Sequence, residues 1–351
     1  MKKEKILIFN ISTDSYNTSL GFAINWLNQL SEYYLEIDVV TLNKGTTHML
    51  KDNINVYSHD SVNLNRLTKF ITLRKIIKKL IKNNEYKFCL SHMTTSLTLV
   101  SSTIFGFQYL QSILWYTHKG PTTFIKKIVL YLGSLFSDTI ITASENSFPL
   151  KFKNVTSIGH AINYDDFYRS RTNPKSKDFL ILSRISKSKN IDESIQGFLN
   201  SVYGESQSIT IVGGPLTKQD AAYEDYLKNK YSKYQNIRFV GSVPHADIST
   251  YIDEAGFHIN NTPMGFYDKS VLETLCGGII NFYVNSEYDK NIHPEYLKIL
   301  KFDGTNDDLT KSINIISELE KDSLMEIIQF SQEKVKEESL KTLHHRILKV
   351  I

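Results

Sequence analysis

Cysteine is scarce in this chain: Cys89 and Cys276 are the only two in 351 residues. They stand far apart, in apolar surroundings and in no metal-ligand spacing. That excludes a disulfide-built scaffold or a zinc module and reads as two buried free thiols in a reducing compartment. Long apolar runs are missing too. The most apolar-leaning stretch, Thr98 to Tyr116, is broken by Gln108, Gln111 and several Ser and Thr, so it reads as a buried helix and strand rather than a membrane span. Met1-Lys2-Lys3-Glu4-Lys5 is basic, but the apolar run behind it, Ile6 to Ile11, is too short for a secretory signal and suits a first strand. No internal repeat is visible. No recognised nucleic-acid motif accompanies the basic residues, so nucleic acid is not an expected partner.

What is present is an ordinary globular composition, 41% hydrophobic and 22% charged, in a chain long enough for two domains. The net charge of +4 is unevenly spread. Residues 1–175 carry 21 Lys and Arg against 12 Asp and Glu, whereas residues 176–351 carry 20 against 25. A basic first half joined to an acidic second half points to two domains with different surroundings.

Short β-rich apolar runs alternate with helical patterns throughout, which is the rhythm of a parallel α/β architecture. In the first half, strands are expected at Lys5–Ile11, Glu36–Leu42, Asn55–Ser58, Phe88–Leu90, Ser112–Tyr116, Thr139–Ala143 and Thr156–Ile158. In the second half they are expected at Asp178–Ser183, Ser208–Gly213, Ile237–Gly241, Phe257–Asn260, Gly278–Tyr283 and Ile299–Phe302. Helices are expected at Leu20–Glu32, Leu67–Lys82 and Ile191–Tyr203, and one or two more over Ser323–Val350. Asn173-Pro174-Lys175-Ser176-Lys177 is polar and proline-containing, as a linker is. The expected fold is α/β, with two Rossmann-like domains over 1–172 and 178–330 and a C-terminal helix over 331–351.

The stretch from Asn261 to Gly278 carries the most chemistry. A polar loop containing Pro263 and Gly265 gives way at Asp268–Ser270 to a short helical pattern bearing Glu273, which stops at Gly277-Gly278. Such a helix start offers free backbone N–H groups and the positive end of the helix dipole to a phosphate or diphosphate. The carboxylate of Glu273 can accept hydrogen bonds from sugar hydroxyls, so a nucleotide-sugar site is the first idea. Three loops at strand carboxyl ends join it. Ser183-Arg184-Ile185 runs to Lys189-Asn190 and holds two cations suited to a diphosphate. Val212-Gly213-Gly214-Pro215 allows close approach of a ligand or simply a tight turn. Val240-Gly241-Ser242-Val243-Pro244 has backbone able to line a base pocket.

These motifs, in their order and spacing over about 100 residues, resemble the donor-binding domain of the retaining GT-B glycosyltransferases of family 4. Leu20-Gly21-Phe22 with Trp26, Trp115-Tyr116-Thr117-His118-Lys119, Thr142-Ala143-Ser144 and Ile158-Gly159-His160-Ala161-Ile162-Asn163 extend the resemblance to the first half, toward a bacterial surface-polysaccharide subgroup. The resemblance implies two Rossmann-like domains facing across a cleft, the last helix returning to the first domain. It also implies a nucleotide-sugar donor, a glycan or lipid-linked acceptor, retention of configuration, and no cofactor or obligatory metal. Arg184 and Lys189 would hold the diphosphate, with the backbone near Lys269, Ser270, Val271 and Leu272 capping it. Glu273 would bind the ribose, His118 would face the sugar, and Gly21 and Lys119 would lie on the acceptor side. Catalysis in that family is mainly electrostatic stabilisation of the departing nucleotide diphosphate. Many members have a second glutamate eight positions before the one matched by Glu273. Here that place is Gly265 by strict spacing, or Met264 if Gly-Phe is aligned, and Asp268-Lys269 stands in. His92 and His160 are weaker candidates, structural or acceptor-side. A sugar-nucleotide epimerase and a non-catalytic nucleotide-sugar-binding protein are the alternatives.

Arg66 to Lys82 is rich in Lys and Arg with no acid. Phe70, Leu73, Ile77, Leu80 and Ile81 recur at helical spacing. It reads either as a basic amphipathic helix for anionic lipid, with Phe124-Ile125-Lys126-Lys127 adding to the same surface, or as an outer helix packed on the sheet. With the lipid-linked acceptor, the first reading makes the expected location cytoplasmic, peripheral on the inner face of the membrane.

Overall fold

The computed structural model describes residues 4–17, 20–59, 65–105, 110–117, 120, 123–171 and 176–351. The chain divides into two compact units, Met1–Ala161 with Leu340–Ile351, and Ile162–Ser339.

The first unit holds a parallel sheet of strands β1 (Lys5–Thr13), β2 (Glu36–Lys44), β3 (Ile54–Tyr57), β4 (Tyr86–His92), β5 (Ser112–Trp115), β6 (Thr139–Thr142) and β7 (Val155–Ser157), in the order β3-β2-β1-β4-β5-β6-β7. Helices α1 (Ala23–Leu30), α2 (Arg66–Asn83), α3 (Thr95–Phe105) and α4 (Phe124–Leu135) connect them. Successive strand residues alternate between two cores. Ile6, Ile8, Leu90, Ile113 and Trp115 pack under α1, and Leu7, Phe9, Val40 and Cys89 pack under α2 and α3. Both faces are therefore buried, which is why these strands read as near-continuous apolar runs.

The second unit opens on α5 (Tyr164–Phe167). It builds a parallel sheet from β8 (Phe179–Leu182), β9 (Ile209–Val212), β10 (Ile237–Gly241), β11 (Phe257–Asn260) and β12 (Ile280–Tyr283), in the order β10-β9-β8-β11-β12. Its further helices are α6 (Ile191–Leu199), α7 (Lys218–Lys230), α8 (Ile248–Glu254), α9 (Lys269–Cys276), α10 (Leu297–Leu300), α11 (Asn306–Ser317) and α12 (Lys321–Lys336). Phe179, Phe198, Phe257 and Phe282 form the aromatic centre of its core. Cys89 and Cys276 are both buried free thiols, and burial pushes the thiols up from their ordinary pKa.

The expected strand at Ile299–Phe302 is not one. Pro294 opens a 3₁₀ turn that runs into α10 and takes up the apolar residues as far as Leu300. Only an isolated bridge, Tyr283 to Lys301, is left.

The unit limits also differ from those expected at 172/178 and 330/331. Residues 162–171 are fastened to the second unit: Tyr164 Oη donates to Gln332 O at 3.2 Å, Arg169 Nε to Asp253 Oδ1 at 2.9 Å, and Arg171 Nε to Gly277 O at 2.9 Å. Residues 172–175 of the expected linker lie outside the described residues. At the other end, α12 stays in the second unit, where Gln332 Nε2 donates to Cys276 O at 2.8 Å. The last helix, α13 (Leu343–Leu348), returns to the first unit, where Leu343 and Ile347 enter the core under α1.

Candidate functional site

The strand order of the second unit reverses between β8 and β11, so the connections leaving the carboxyl ends of these two strands diverge and open a crevice. The loop after β8 ends in a 3₁₀ turn, Lys187–Lys189, closed by Asn190 at φ +46°. Asparagine tolerates this left-handed conformation better than most residues. Here its Nδ2 also reaches Asn261 O across the crevice, at 3.3 Å.

The turn drives Lys189 inward until it is only 6% exposed. Its ammonium lies 2.7 and 2.5 Å from the two carboxylate oxygens of Asp268, 3.3 Å from Thr262 Oγ1, and over the ring of Phe266. Asn260 Nδ2 and Thr262 Oγ1 also donate to Asp268, at 3.1 and 2.9 Å. Burial works to raise the Asp268 carboxyl, but the Lys189 ammonium, helped by Asn260 and Thr262, holds it below the ordinary carboxylate value.

Asp268 occupies the N-cap position of α9 yet makes no side-chain cap, because its carboxylate is turned to Lys189. The first turn tightens instead, with Val271 N–H donating to Asp268 O at 3.2 Å. That amide, expected to cap a phosphate, is already engaged. One turn on, Glu273 is 3% exposed, with Oε1 2.9 Å from His245 Nε2 and 3.6 Å from Lys269 Nζ. His245 stands on a 3₁₀ turn that follows β10, four residues after Gly241, and packs edge-on against Phe167 of α5. Helix α9 closes in a Schellman motif: Gly278, at φ +73°, donates to Leu275 O, and Ile279 donates to Thr274 O. The expected stop at the glycine pair is thus a left-handed cap.

Gly213 and Gly214 serve loop-to-loop packing. A Cβ on Gly213 would lie 1.9 Å from Ser183 O, at φ +135°, and one on Gly214 would lie 2.4 Å from Ser242 Oγ. Gly213 N–H donates to Gly241 O and Ile185 N–H to Gly214 O, tying the three loops together. Arg184 projects to solvent with no ion-pair partner among the described residues, while Val243 is half-buried on the β10 loop.

The structure therefore gathers Lys189, Asp268, Lys269, Val271, Leu272 and Glu273 about the start of α9. Arg184, Gly213, Gly214 and Val243 lie on loops that leave the same sheet edge. Ser270 is half-buried in the first turn of α9. His118 and Lys119 lie outside the described residues. Gly21 belongs to the first unit, where a Cβ would meet Asn17 O at 2.6 Å. Sequence reasoning missed His245, although it directly follows the Ser242-Val243-Pro244 motif, and it missed Asn260 and Thr262 as partners of Asp268. Among the described residues, no cluster of His, Cys, Asp and Glu is arranged to hold a metal ion. An open cavity of about 460 Å³, lined in part by Asp178, Asn236, Arg238 and Glu254, lies at the opposite, amino-terminal edge of this sheet, away from these loops.

Residues 14–144 match the family described as glycosyl transferase 4-like. The match lies within the first unit, and the two parallel sheets give the chain the fold of the solved structures that follow. A comparison with curated protein sequences finds no match. Among solved structures, the chain is similar to sucrose-phosphate synthase from Thermosynechococcus elongatus, with a TM-score of 0.71, 13% identity, and 99% of this chain and 98% of that chain covered. It is also similar to HepE from Anabaena in complex with UDP and glucose, with a TM-score of 0.69, 13% identity, and 99% and 100% covered. A third is the lipopolysaccharide outer core galactosyltransferase WaaB, with a TM-score of 0.66, 12% identity, and 99% and 100% covered. At these identities the structural likeness shows the fold alone.

The chain departs from the pattern of the family it resembles at positions 264 and 265 for a backbone reason. Gly265 is buried at φ +85°, a conformation that a glutamate adopts only under strain, and Met264 is 51% exposed.

Proposed function

We propose that the crevice at the start of α9 binds the diphosphate and ribose of a nucleotide-sugar donor, and that the enzyme transfers the sugar, with retention, to a glycan or lipid-linked acceptor. The observation that carries this reading is the buried ion pair of Lys189 with Asp268 beside the buried Glu273 carboxylate, hydrogen-bonded to His245, at the point where the strand order reverses. A buried ion pair and a second buried carboxylate kept at a ligand-binding edge are expensive for stability alone, and binding accounts for them. HepE, a protein of the same fold, has been crystallised with UDP-glucose, which supports a nucleotide-sugar donor here.

In this reading the residues share the work unevenly. Arg184 is exposed and takes the outer diphosphate oxygens. Lys189 reaches an inner oxygen only by sharing its ammonium between the ligand and Asp268, so Asp268 tunes the charge that the diphosphate meets. Glu273 meets the ribose hydroxyls where His245 and Lys269 now lie. By the family resemblance alone, His118 would act on the transferred sugar. The products fit surface-polysaccharide biosynthesis of the O-antigen or capsule type, at the inner face of the cytoplasmic membrane, where the basic helix α2 meets anionic lipid. No described helix is long and apolar enough to cross a membrane.

The test is sugar transfer from UDP- and GDP-sugars to a lipid-linked acceptor. His118→Ala and Glu273→Ala should each lower kcat/KM at least about 100-fold, roughly 2.7 kcal/mol of transition-state stabilisation. Equal rates for the variants and the parent would sink the reading. Conversion of the donor sugar with no acceptor present would replace it by an epimerase.

A further inference from the structure

Helix α4 is built the wrong way round for a helix that only covers a sheet. Its buried residues are Leu130, Gly133 and Ser134, followed by Ser137 just past its end. Gly133 lets α4 close on α3, since a Cβ there would stand 3.0 Å from Thr95 Cβ. Ser134 and Ser137 turn their hydroxyls back onto Leu130 O and Gly133 O. The large apolar residues point outward: Phe124 is 76% exposed, Ile125 74%, Phe136 54%, Leu135 53% and Tyr131 49%, with Ile128 and Leu132 exposed beside them. At 100° per residue these seven fall on one continuous arc of the helix, the arc opposite the small residues. An outward apolar patch of this size on a soluble surface marks an interaction site.

The charges around the patch select the occupant. Lys126 and Lys127 are exposed within α4, which contains no acid. Helix α2 lies on the same face of the sheet, with α3 between them. It exposes Arg74, Lys75, Lys78, Lys79 and Lys82, again with no acid, while its own apolar stripe of Leu73, Ile77, Leu80 and Ile81 is spent in the core. Of the two readings of α2, packing on the sheet holds for its apolar stripe, and its exposed side keeps mainly the cations. A second copy of the chain meeting this face symmetrically would set cations against cations. An anionic bilayer satisfies both parts, apolar side chains among acyl chains and ammonium groups at lipid phosphates.

We infer that α4 is the element that inserts into an anionic lipid surface, lying in the interface with Phe124, Ile125, Ile128, Tyr131, Leu132 and Leu135 below the phosphates, while α2 supplies charge from above. This rests on the reading of the enzyme as membrane-associated and deepens it: the contact is apolar insertion, not charge alone. Helix α4 begins six residues after His118, so insertion would bring the bilayer near the loop on which a lipid-linked acceptor is expected.

The experiment is flotation of the full chain with vesicles of phosphatidylglycerol and phosphatidylcholine, paired with fluorescence of Phe124→Trp. The two native tryptophans, Trp26 and Trp115, are buried at 1% and 3% exposure, so the new indole reports alone on lipid contact. Expected are a blue shift, quenching by brominated acyl chains, and binding that partly survives high salt. Ile125→Ser with Leu132→Ser should weaken partitioning by about 100-fold, near tenfold for each lost apolar contact, with the melting temperature unchanged. Binding that high salt abolishes and the double serine variant leaves intact overturns insertion but keeps the membrane reading. No flotation on any anionic vesicle overturns both. A dimer in solution that the serine variant breaks into monomers overturns the proposal in favour of a second copy.

Discussion

Removing the charge of Asp268 by Asp268→Asn isolates the central contact of the crevice. Lys189 would then keep a buried ammonium, with its side chain 5% exposed and, among the described residues, Thr262, the Phe266 ring and a neutral amide around it. Breaking a buried ion pair from one side costs about 3–5 kcal/mol. Because the Asp268 side chain is itself 21% exposed, the lower end applies, about 3 kcal/mol. For a unit of this size that lowers the melting temperature by roughly 6–12 °C. Lys189→Met with Asp268→Asn removes both charges at similar volume, so the double variant should be more stable than Asp268→Asn alone, by at least about 1 kcal/mol. The assay is urea and thermal unfolding of the parent, the two single variants and the double variant, read as a double-mutant cycle. An unchanged Asp268→Asn protein, or strictly additive effects, would refute the claim that the two groups form one buried unit.

Other outcomes follow from neighbouring residues. His258, on β11 beneath the crevice, is buried; desolvation pushes its pKa down to about 4, while its bond to Asn281 works the other way. Above pH 6.5 it is neutral folded or unfolded; between pH 6.5 and 4 the unfolded chain binds a proton that the folded one refuses. Stability should therefore fall across that window, on the order of 3 kcal/mol from this group, and His258→Gln should flatten the slope in urea melts at stepped pH. Gly213→Ala would drive a Cβ to 1.9 Å from Ser183 O at a positive φ. A destabilisation of roughly 3 kcal/mol or more is expected, and an unchanged urea midpoint would contradict the loop packing described. His245→Ala should loosen Glu273 and raise KM for the donor more than it lowers kcat, whereas an unchanged KM would place His245 outside the donor site.

The parallel α/β plan was legible because strands buried on both faces leave uninterrupted apolar runs, as at Ile6–Phe9 and Phe179–Leu182. The helix carrying Glu273 was legible because its stop is written as Gly277-Gly278. What failed to show were contacts between distant segments. Nothing near Asp268 in sequence says that its carboxylate will leave its N-cap position for Lys189, 79 residues away, or that His245 will cover Glu273. Those pairings depend on the sheet order, and the reversal between β8 and β11 is a property of topology. The strand expected at Ile299–Phe302 misled because four apolar residues suit a strand or a short helix equally, and Pro294 upstream decided it. Helix α4 misled in the opposite sense: Phe124-Ile125 was read as an addition to α2, yet it is α4 that keeps its apolar side free.

The most direct test of the central claim is calorimetric titration of UDP-, GDP- and other nucleotide sugars into the parent enzyme and into Arg184→Ala and Glu273→Gln. One nucleotide sugar should bind the parent at a single site, and each variant should lose at least about tenfold in affinity, near 1.4 kcal/mol. Failure of every nucleotide sugar to bind, or equal affinity in all three proteins, would contradict a donor site at the start of α9.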